Sequence, residues 1–313
     1  MPDQAARSLK TRRGDIRLPG FFPVTTFGNK YPLDRLIRPY LPRLCQGMLV
    51  SHHYAAHLDD NPNDHPGVPL FIDSGGFALL FEGSSVFAQA GVFGIRTQAG
   101  DLITPDLVLQ RQMRHAEIGA TLDFPIPPSC DDKDERKKRF DATVENADWA
   151  LRNNRRPDLC LYASLQCWDA ASACEAARNY SRMRHHERAF SGIAIGGMVP
   201  RLRDRDYVRS IVESVRAEWE GPIHVFGVGS PSMVRGCLEW GADSTDSSSY
   251  VKYAADGRSV NPRMPPIPEG QLTPLGRMQL ALRNLAHLLD PSNDHLPLSA
   301  VGGSLSVMEE TPA

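Results

Sequence analysis

Short apolar runs that end in glycine or polar residues recur along this chain, and most are followed by a stretch of helical periodicity. Eight of them read as strands: residues 21–27, 47–52, 70–73, 120–123, 159–166, 192–196, 223–229 and 242–246. Their apolar positions are nearly continuous, the pattern of strands covered on both faces in a parallel sheet. The intervening helices carry start signals. Thr104-Pro105-Asp106 supplies a cap, a proline at the first helical position and an acid in the first turn, and Ser230-Pro231 repeats the device. Residues 139–153, 169–182, 204–219 and 272–289 have amphipathic spacing. Strands alternating with helices predict an α/β protein, a single (β/α)8 barrel over residues 18–290. A flexible segment over 1–17 and a disordered tail over 291–313 are expected to flank it.

Composition narrows the class. The 313 residues are about twice a usual domain length, yet they suit one barrel of this kind. With 41% hydrophobic and 23% charged residues, the chain is neither disordered nor fibrous. No apolar run reaches the ~20 residues of a bilayer span, and the basic first residues lack a signal peptide's apolar stretch, so a cytoplasmic protein is expected. The net charge of −2 excludes a polycation but not a local basic face. Charged stretches at 133–139, 152–156, 182–188 and 201–205 read as the solvated face of outer helices or as a rim for phosphates. The six cysteines include no C-x-x-C pair and read as reduced thiols; evenly spaced Cys160, Cys167 and Cys174 lack the close pairs of a zinc site.

A parallel barrel does its chemistry where the carboxyl ends of the strands meet. The polar residues at those ends are Asp73, Asp123, Gln166, Gly196-Gly197, Gly229, Asp243 and Asp246. Carboxylates converging on one mouth suit acid–base or nucleophilic work on a sugar or base, since an aspartate can hold an anomeric carbon as a glycosyl ester. Plainer readings exist for each. Asp73 could cap a helix, Asp246 lies in a polar run that alone reads as a loop, and Asp123 and Gln166 could satisfy neighbouring backbone. His52-His53 and His185-His186 lack a third ligand at metal spacing, and Trp168 and Tyr250 could stack on a base or pack the core.

Asp73-Ser74-Gly75-Gly76-Phe77, Gln166, Ala194-Ile195-Gly196-Gly197-Met198, Phe226-Gly227-Val228-Gly229-Ser230-Pro231 and Gly241-Ala242-Asp243-Ser244-Thr245-Asp246 occur in this order. Together they resemble the signatures of the tRNA-guanine transglycosylase superfamily, as does the opening Pro23-Val24-Thr25-Thr26. The resemblance spans roughly residues 18–246 and implies a pentosyltransferase on a barrel. It implies Asp246 as the nucleophile at C1′ of a guanosine and Asp73 as general acid/base. Ser74, Gly75, Asp123 and Gln166 would bind substrate, the last two reading the polar edge of the heterocycle. The main chain at Gly196 and Gly197 would donate to the base's carbonyl oxygen. Gly227 and Gly229 would leave room below the ring, with Asp243 in support.

Departures from the pattern bear on the substrate. The family's C-x-C-x-x-C plus His zinc segment is not matched, since no cysteine follows Cys237. Ser247-Ser248-Ser249-Tyr250 stands for Pro-Thr-Arg, Ala78 for a glutamine, and Phe124-Pro125 for Glu-Cys. This pattern resembles the branch that inserts 7-deazaguanines into DNA. The expected reaction is therefore exchange of guanine in nucleic acid for a 7-deazaguanine such as preQ0 or preQ1, with DNA placed ahead of tRNA. Alternatives are the same exchange on tRNA, a hydrolase or transferase of free nucleosides, and a non-catalytic binding subunit, the last disfavoured by the presence of both carboxylates. Expected partners are nucleic acid, the free 7-deazaguanine base and accessory proteins. No cofactor, metal or membrane is expected.

Overall fold

The computed structural model describes residues 7–89, 91–268 and 272–290. Eight parallel strands close into a barrel: β1 Gly20–Thr25, β2 Met48–Val50, β3 Leu70–Ile72, β4 Ile118–Ala120, β5 Cys160–Leu165, β6 Gly192–Ile195, β7 Ile223–Val225 and β8 Ser244–Ser247. They follow chain order around the ring, and β8 pairs with β1 to shut it. All eight expected strands are present. The fourth begins two residues earlier than its apolar run suggests. The Thr121 N–H still donates to the Tyr162 carbonyl, and past it side chains take over from the ladder: Thr121 Oγ1 accepts from the Ser164 N–H, and the Phe124 N–H donates to Thr143 Oγ1.

Alternation along each strand sorts side chains into two layers. On β3, Leu70 and Ile72 face the surrounding helices while Phe71 points into the barrel. Phe22, Phe71 and Tyr162 meet edge to face inside it, with ring centroids 5.8 and 5.5 Å apart, so the interior is packed rather than an open pore.

The outer ring includes α1 Pro105–His115, α2 Lys133–Asn153, α3 Ala170–Arg182, α4 Arg205–Glu218, α5 Pro231–Glu239, α6 Ser249–Ala255 and α7 Pro274–Leu289. Their starts follow local chemistry. The Thr104 hydroxyl accepts from Leu107 N–H, and Asp169 with Ser172 forms a reciprocal capping box. Asp132 caps α2 and starts it six residues before the expected 139. Among the described residues no helix is long and apolar enough to cross a membrane.

Two features differ from expectation. Residues 7–17 are not a loose segment: Arg7–Leu9 pairs antiparallel with Ile16–Leu18, and buried Ile16 and Leu18 join the barrel-interior cluster. Apolar side chains at the amino-terminal end of the barrel need a cover, and this hairpin supplies it. Arg12 and Arg13 reach the buried Glu117 at 3.3 and 3.2 Å. The second feature is an antiparallel sheet between β3 and α1, Ser85–Gln89, Val92–Arg96 and Leu102–Ile103. Its buried Ile95 and Ile103 pack with Val108, Leu122 and Phe124. The expected tail over 291–313 lies outside the described residues.

Candidate active site

At the carboxyl ends of the strands lies a cavity of about 200 Å³. Asp73 enters it from the end of β3, Asp123 from just beyond β4, Gln166 from the end of β5 and Asp246 from β8. Ser74, Gly196, Gly197 and Gly227 line it as well, so eight of the ten sequence-predicted site residues meet there. Gly75 and Gly229 do not. Gly75 takes a left-handed φ of 74° behind Asp73, where a Cβ would stand 3.2 Å from His52 Cβ. Gly229 faces Ser247 and Ser249, whose hydroxyls occupy the space a side chain would need. Both glycines shape the loops and neither faces the cavity.

The two aspartates are held alike. Asp73 Oδ1 accepts from the main-chain N–H groups of His52 and Gly75, each at 2.9 Å. Asp246 Oδ1 accepts from the Gly227 N–H at 2.9 Å and from His224 Nε2 at 3.1 Å. In each carboxyl group one oxygen is fixed by two donors, and Oδ2 has no hydrogen-bond donor among the described residues. Burial, joined by the charges of Asp246 and Asp123 and opposed by its two N–H donors, raises the Asp73 carboxyl to about 7. A carboxyl group that titrates near neutrality can give and take a proton in one cycle.

Asp123 forms the floor of a polar wall. Its Oδ1 accepts from the Ser74 hydroxyl and its Oδ2 from Gln166 Nε2 at 2.5 Å. Burial raises its carboxyl above the ordinary range while both hydrogen bonds pull it back. A Cβ at Gly196 would lie 2.2 Å from Gln166 Nε2, and Gly76 would press on Asp123 in the same way, so these glycines let backbone lie against the acid–amide pair. The cavity is also lined by the apolar side chains of Phe77, Leu80, Val199 and Phe226. One polar edge among apolar side chains suits a flat heterocycle with hydrogen-bonding groups on its rim.

The structure corrects one sequence reading and decides between alternatives for others. Asp243 precedes β8 at the opposite end of the barrel, where it binds Arg216 Nη2 at 2.5 Å and the Ile223 N–H at 2.8 Å; it takes no part in the site. Of the four charged stretches, 133–139 and 201–205 follow strands β4 and β6 and so lie at the mouth. Stretches 152–156 and 182–188 precede β5 and β6, which places them at the far end. Trp168 packs edge-on against Phe140, and Tyr250 is buried with its hydroxyl donating to the Val24 carbonyl. Neither lines the cavity. Among the described residues no group of three or more His, Cys, Asp or Glu could hold a metal ion.

Sequence reasoning weighed His52 only as half of a pair without a third metal ligand, and passed over His224. His52 lies buried behind Asp73, and burial with the neighbouring Arg111 pushes its imidazole down to about 3, so it serves through its main chain. His224 sits inside the barrel against Asp246. A lone histidine in the apolar run of residues 223–229 was the available signal for it.

The family described as queuine tRNA-ribosyltransferase matches residues 4–296. The chain belongs to that family. Among its relatives are the proteins named tRNA-guanine(15) transglycosylase of Pyrococcus abyssi (strain GE5 / Orsay) and of Thermococcus onnurineus (strain NA1). The first is 28% identical over 260 residues, covering 81% of this chain and 41% of that protein. The second is 28% identical over 269 residues, covering 83% and 43%. The chain thus spans about two fifths of the length of these curated relatives. The closed parallel barrel agrees with the fold expected for the family.

Proposed function

We propose that this protein is a guanine transglycosylase that exchanges a guanine in a polynucleotide for a free 7-deazaguanine base. The observation that carries the reading is the pair of aspartates, each with one unengaged oxygen, opening into one cavity beside the Asp123–Gln166 wall. The cavity is below the roughly 300–1,000 Å³ of drug-sized sites, which suits one flipped-out base with its ribose at the entrance.

In this reading Asp246 attacks C1′ as the C1′–N9 bond breaks, and the departing guanine takes the proton from Asp73. A glycosyl ester on Asp246 remains. The incoming base then gives its N9 proton to the Asp73 carboxylate and attacks C1′, and the ester electrons return to Asp246. Two inversions retain the configuration of the sugar. Asp123 accepts from the N–H edge of the base, with Gln166 and Ser74 holding it in plane. Asp123→Asn, which sets an amide N–H against that edge, is expected to weaken guanine binding by about 10–100-fold in calorimetric titration while leaving the melting temperature near that of the parent.

For the polynucleotide, the relatives named for tRNA support tRNA over DNA. Phosphates would meet the mouth-side cations. Lys133 and Arg203 are exposed there and make no ion pair with any described residue. The double variant Lys133→Glu/Arg203→Glu is expected to weaken polynucleotide binding and to flatten the slope of log K against log salt by about one per lost contact. Arg155→Glu, at the far end of the barrel, should leave both unchanged. An unaltered slope in the double variant would place the docking face elsewhere.

The experiment for the function itself offers labelled guanine and a labelled 7-deazaguanine to the protein with tRNA and duplex DNA side by side. Incorporation into tRNA is expected. Incorporation into DNA alone would restore the reading drawn from the sequence departures, and turnover of free nucleosides without incorporation would replace base exchange by nucleoside hydrolysis.

A further inference from the structure

Ser244 and Asp246 are two apart on β8, so both side chains point into the barrel, and His224 is the register partner of Ser244 on β7. The imidazole is fully buried, with Phe71 and Phe226 at ring-centroid distances of 4.9 and 4.7 Å. Its Nδ1 lies 2.9 Å from Ser244 Oγ and its Nε2 lies 3.1 Å from Asp246 Oδ1. An ionised carboxylate only accepts, so Nε2 carries the hydrogen and Ser244 is placed to donate to Nδ1. Space alone does not call for a histidine here. An aromatic hydrocarbon would fill the same volume between Phe71 and Phe226 without burying two ring nitrogens.

We propose that His224 is a positioning residue for the nucleophile: as the Nε2–H tautomer set by Ser244, it joins Gly227 in tying up Asp246 Oδ1, so that Oδ2 alone attacks the anomeric carbon. The inference rests on the base-exchange reading above. When the Oδ2–C1′ bond forms and the C1′–N9 electrons leave with the base, Oδ1 becomes the ester carbonyl oxygen and keeps both donors. When the incoming base displaces the ester, the electron pair returns to the carboxylate, and the same two donors meet the charge that develops there. The geometry is set before substrate arrives, so no reorganisation accompanies either step.

The test uses the full chain and compares His224→Phe, His224→Gln and the parent protein in single-turnover formation of the covalent polynucleotide adduct, with guanine affinity measured separately. His224→Phe is expected to slow adduct formation by about 100-fold. Guanine affinity should stay within about threefold, the split of an interaction made at the reacting group and not at the base. His224→Gln should recover about tenfold of the lost rate, because its amide N–H reaches the same carboxylate oxygen. Should the phenylalanine variant fail to fold, His224→Asn, with an amide too short to reach Oδ1, takes its place in the comparison. In parallel, nitrogen-15 spectra of histidine-labelled protein at neutral pH should show one Nε2–H tautomer resonance that disappears in His224→Gln.

An Nδ1–H tautomer overturns the proposal, as does adduct formation at the parental rate in the variant lacking the donor. Rate and guanine affinity falling together, with no recovery by glutamine, would reduce His224 to scaffolding and overturn it too. A parent protein that forms no adduct and exchanges no base refutes the function instead, and the inference falls with it; the parent reaction reports this before any variant is compared.

Discussion

Asp246→Asn is expected to leave no covalent protein–polynucleotide adduct on a denaturing gel and to lower base exchange by at least about 10⁴-fold, the scale of losing an enzyme nucleophile. The amide oxygen is a poor nucleophile toward an anomeric carbon. The substitution is nearly isosteric and retains an oxygen that can accept from the Gly227 N–H and His224, so the fold and guanine affinity should change little. Circular dichroism and equilibrium binding of guanine provide those two controls. An adduct that persists in the variant would move the nucleophile to another group in the cavity. Asp243, three residues earlier in the same acidic run, could not take over, because Arg216 and the Ile223 N–H hold it at the opposite end of the barrel.

Asp73→Asn should cost about 10²–10⁴-fold in exchange, the usual contribution of a positioned general acid/base. It should also change the pH dependence of both rate and stability. In the parent, single-turnover release of guanine needs the protonated acid, so the rate should fall about tenfold per pH unit above the carboxyl value of about 7. The variant should lose that limb.

The stability effect has a definite sign. Burial raises this carboxyl from 3.8 to about 7, so between those values the native chain binds a proton that the unfolded chain has released. Stability from this group is therefore complete below the unfolded value and is lost as pH rises through the folded one. Asparagine has no such proton to lose, and its Oδ1 can accept from His52 and Gly75 in the same way. Thermal melts of the two proteins from about pH 4 to about pH 8 should show the variant gaining on the parent up to about pH 7 and level thereafter. A constant difference across that range would mean that the Asp73 carboxyl titrates in its ordinary range.

At Asp73 the raised carboxyl value and the bare Oδ2 belong together. A buried acid surrounded by donors on every lone pair would stay ionised. Two N–H groups on one oxygen fix the orientation of Asp73 and leave desolvation in control. At the second aspartate the donors come from a glycine N–H and a histidine, so orientation is secured by neighbouring β7 and the turn after it. The cavity thus presents two directed oxygen atoms to one bound nucleotide, which is what transfer between C1′ and a ring nitrogen requires.

Apolar runs alternating with helical patterns were enough to place all eight strands and to indicate a parallel barrel, because strands covered on both faces leave a continuous hydrophobic signature. Asp73, Gln166 and Asp246 could be read as site residues for a similar reason: in such a barrel the polar residues ending the strands must gather at one mouth. Residues whose role depends on the direction of a side chain were beyond that reasoning. Asp243 and Asp246 are three apart in one acidic run, yet one meets Arg216 at the base of the barrel and the other faces the cavity. The hairpin over residues 7–18 offered too few residues to show a period, and its anchor is the open lower end of the barrel. The alternation around Gly91 was weak for the same reason. His224 looks like an interruption in an apolar strand until closure of the ring sets Ser244 and Asp246 beside it. Sequence by itself determined the order of strands and helices and which acids end them, since these follow from local periodicity. Only the tertiary structure decided which carboxylate oxygen is held and which is bare, because that depends on donors arriving from strands far away in the chain.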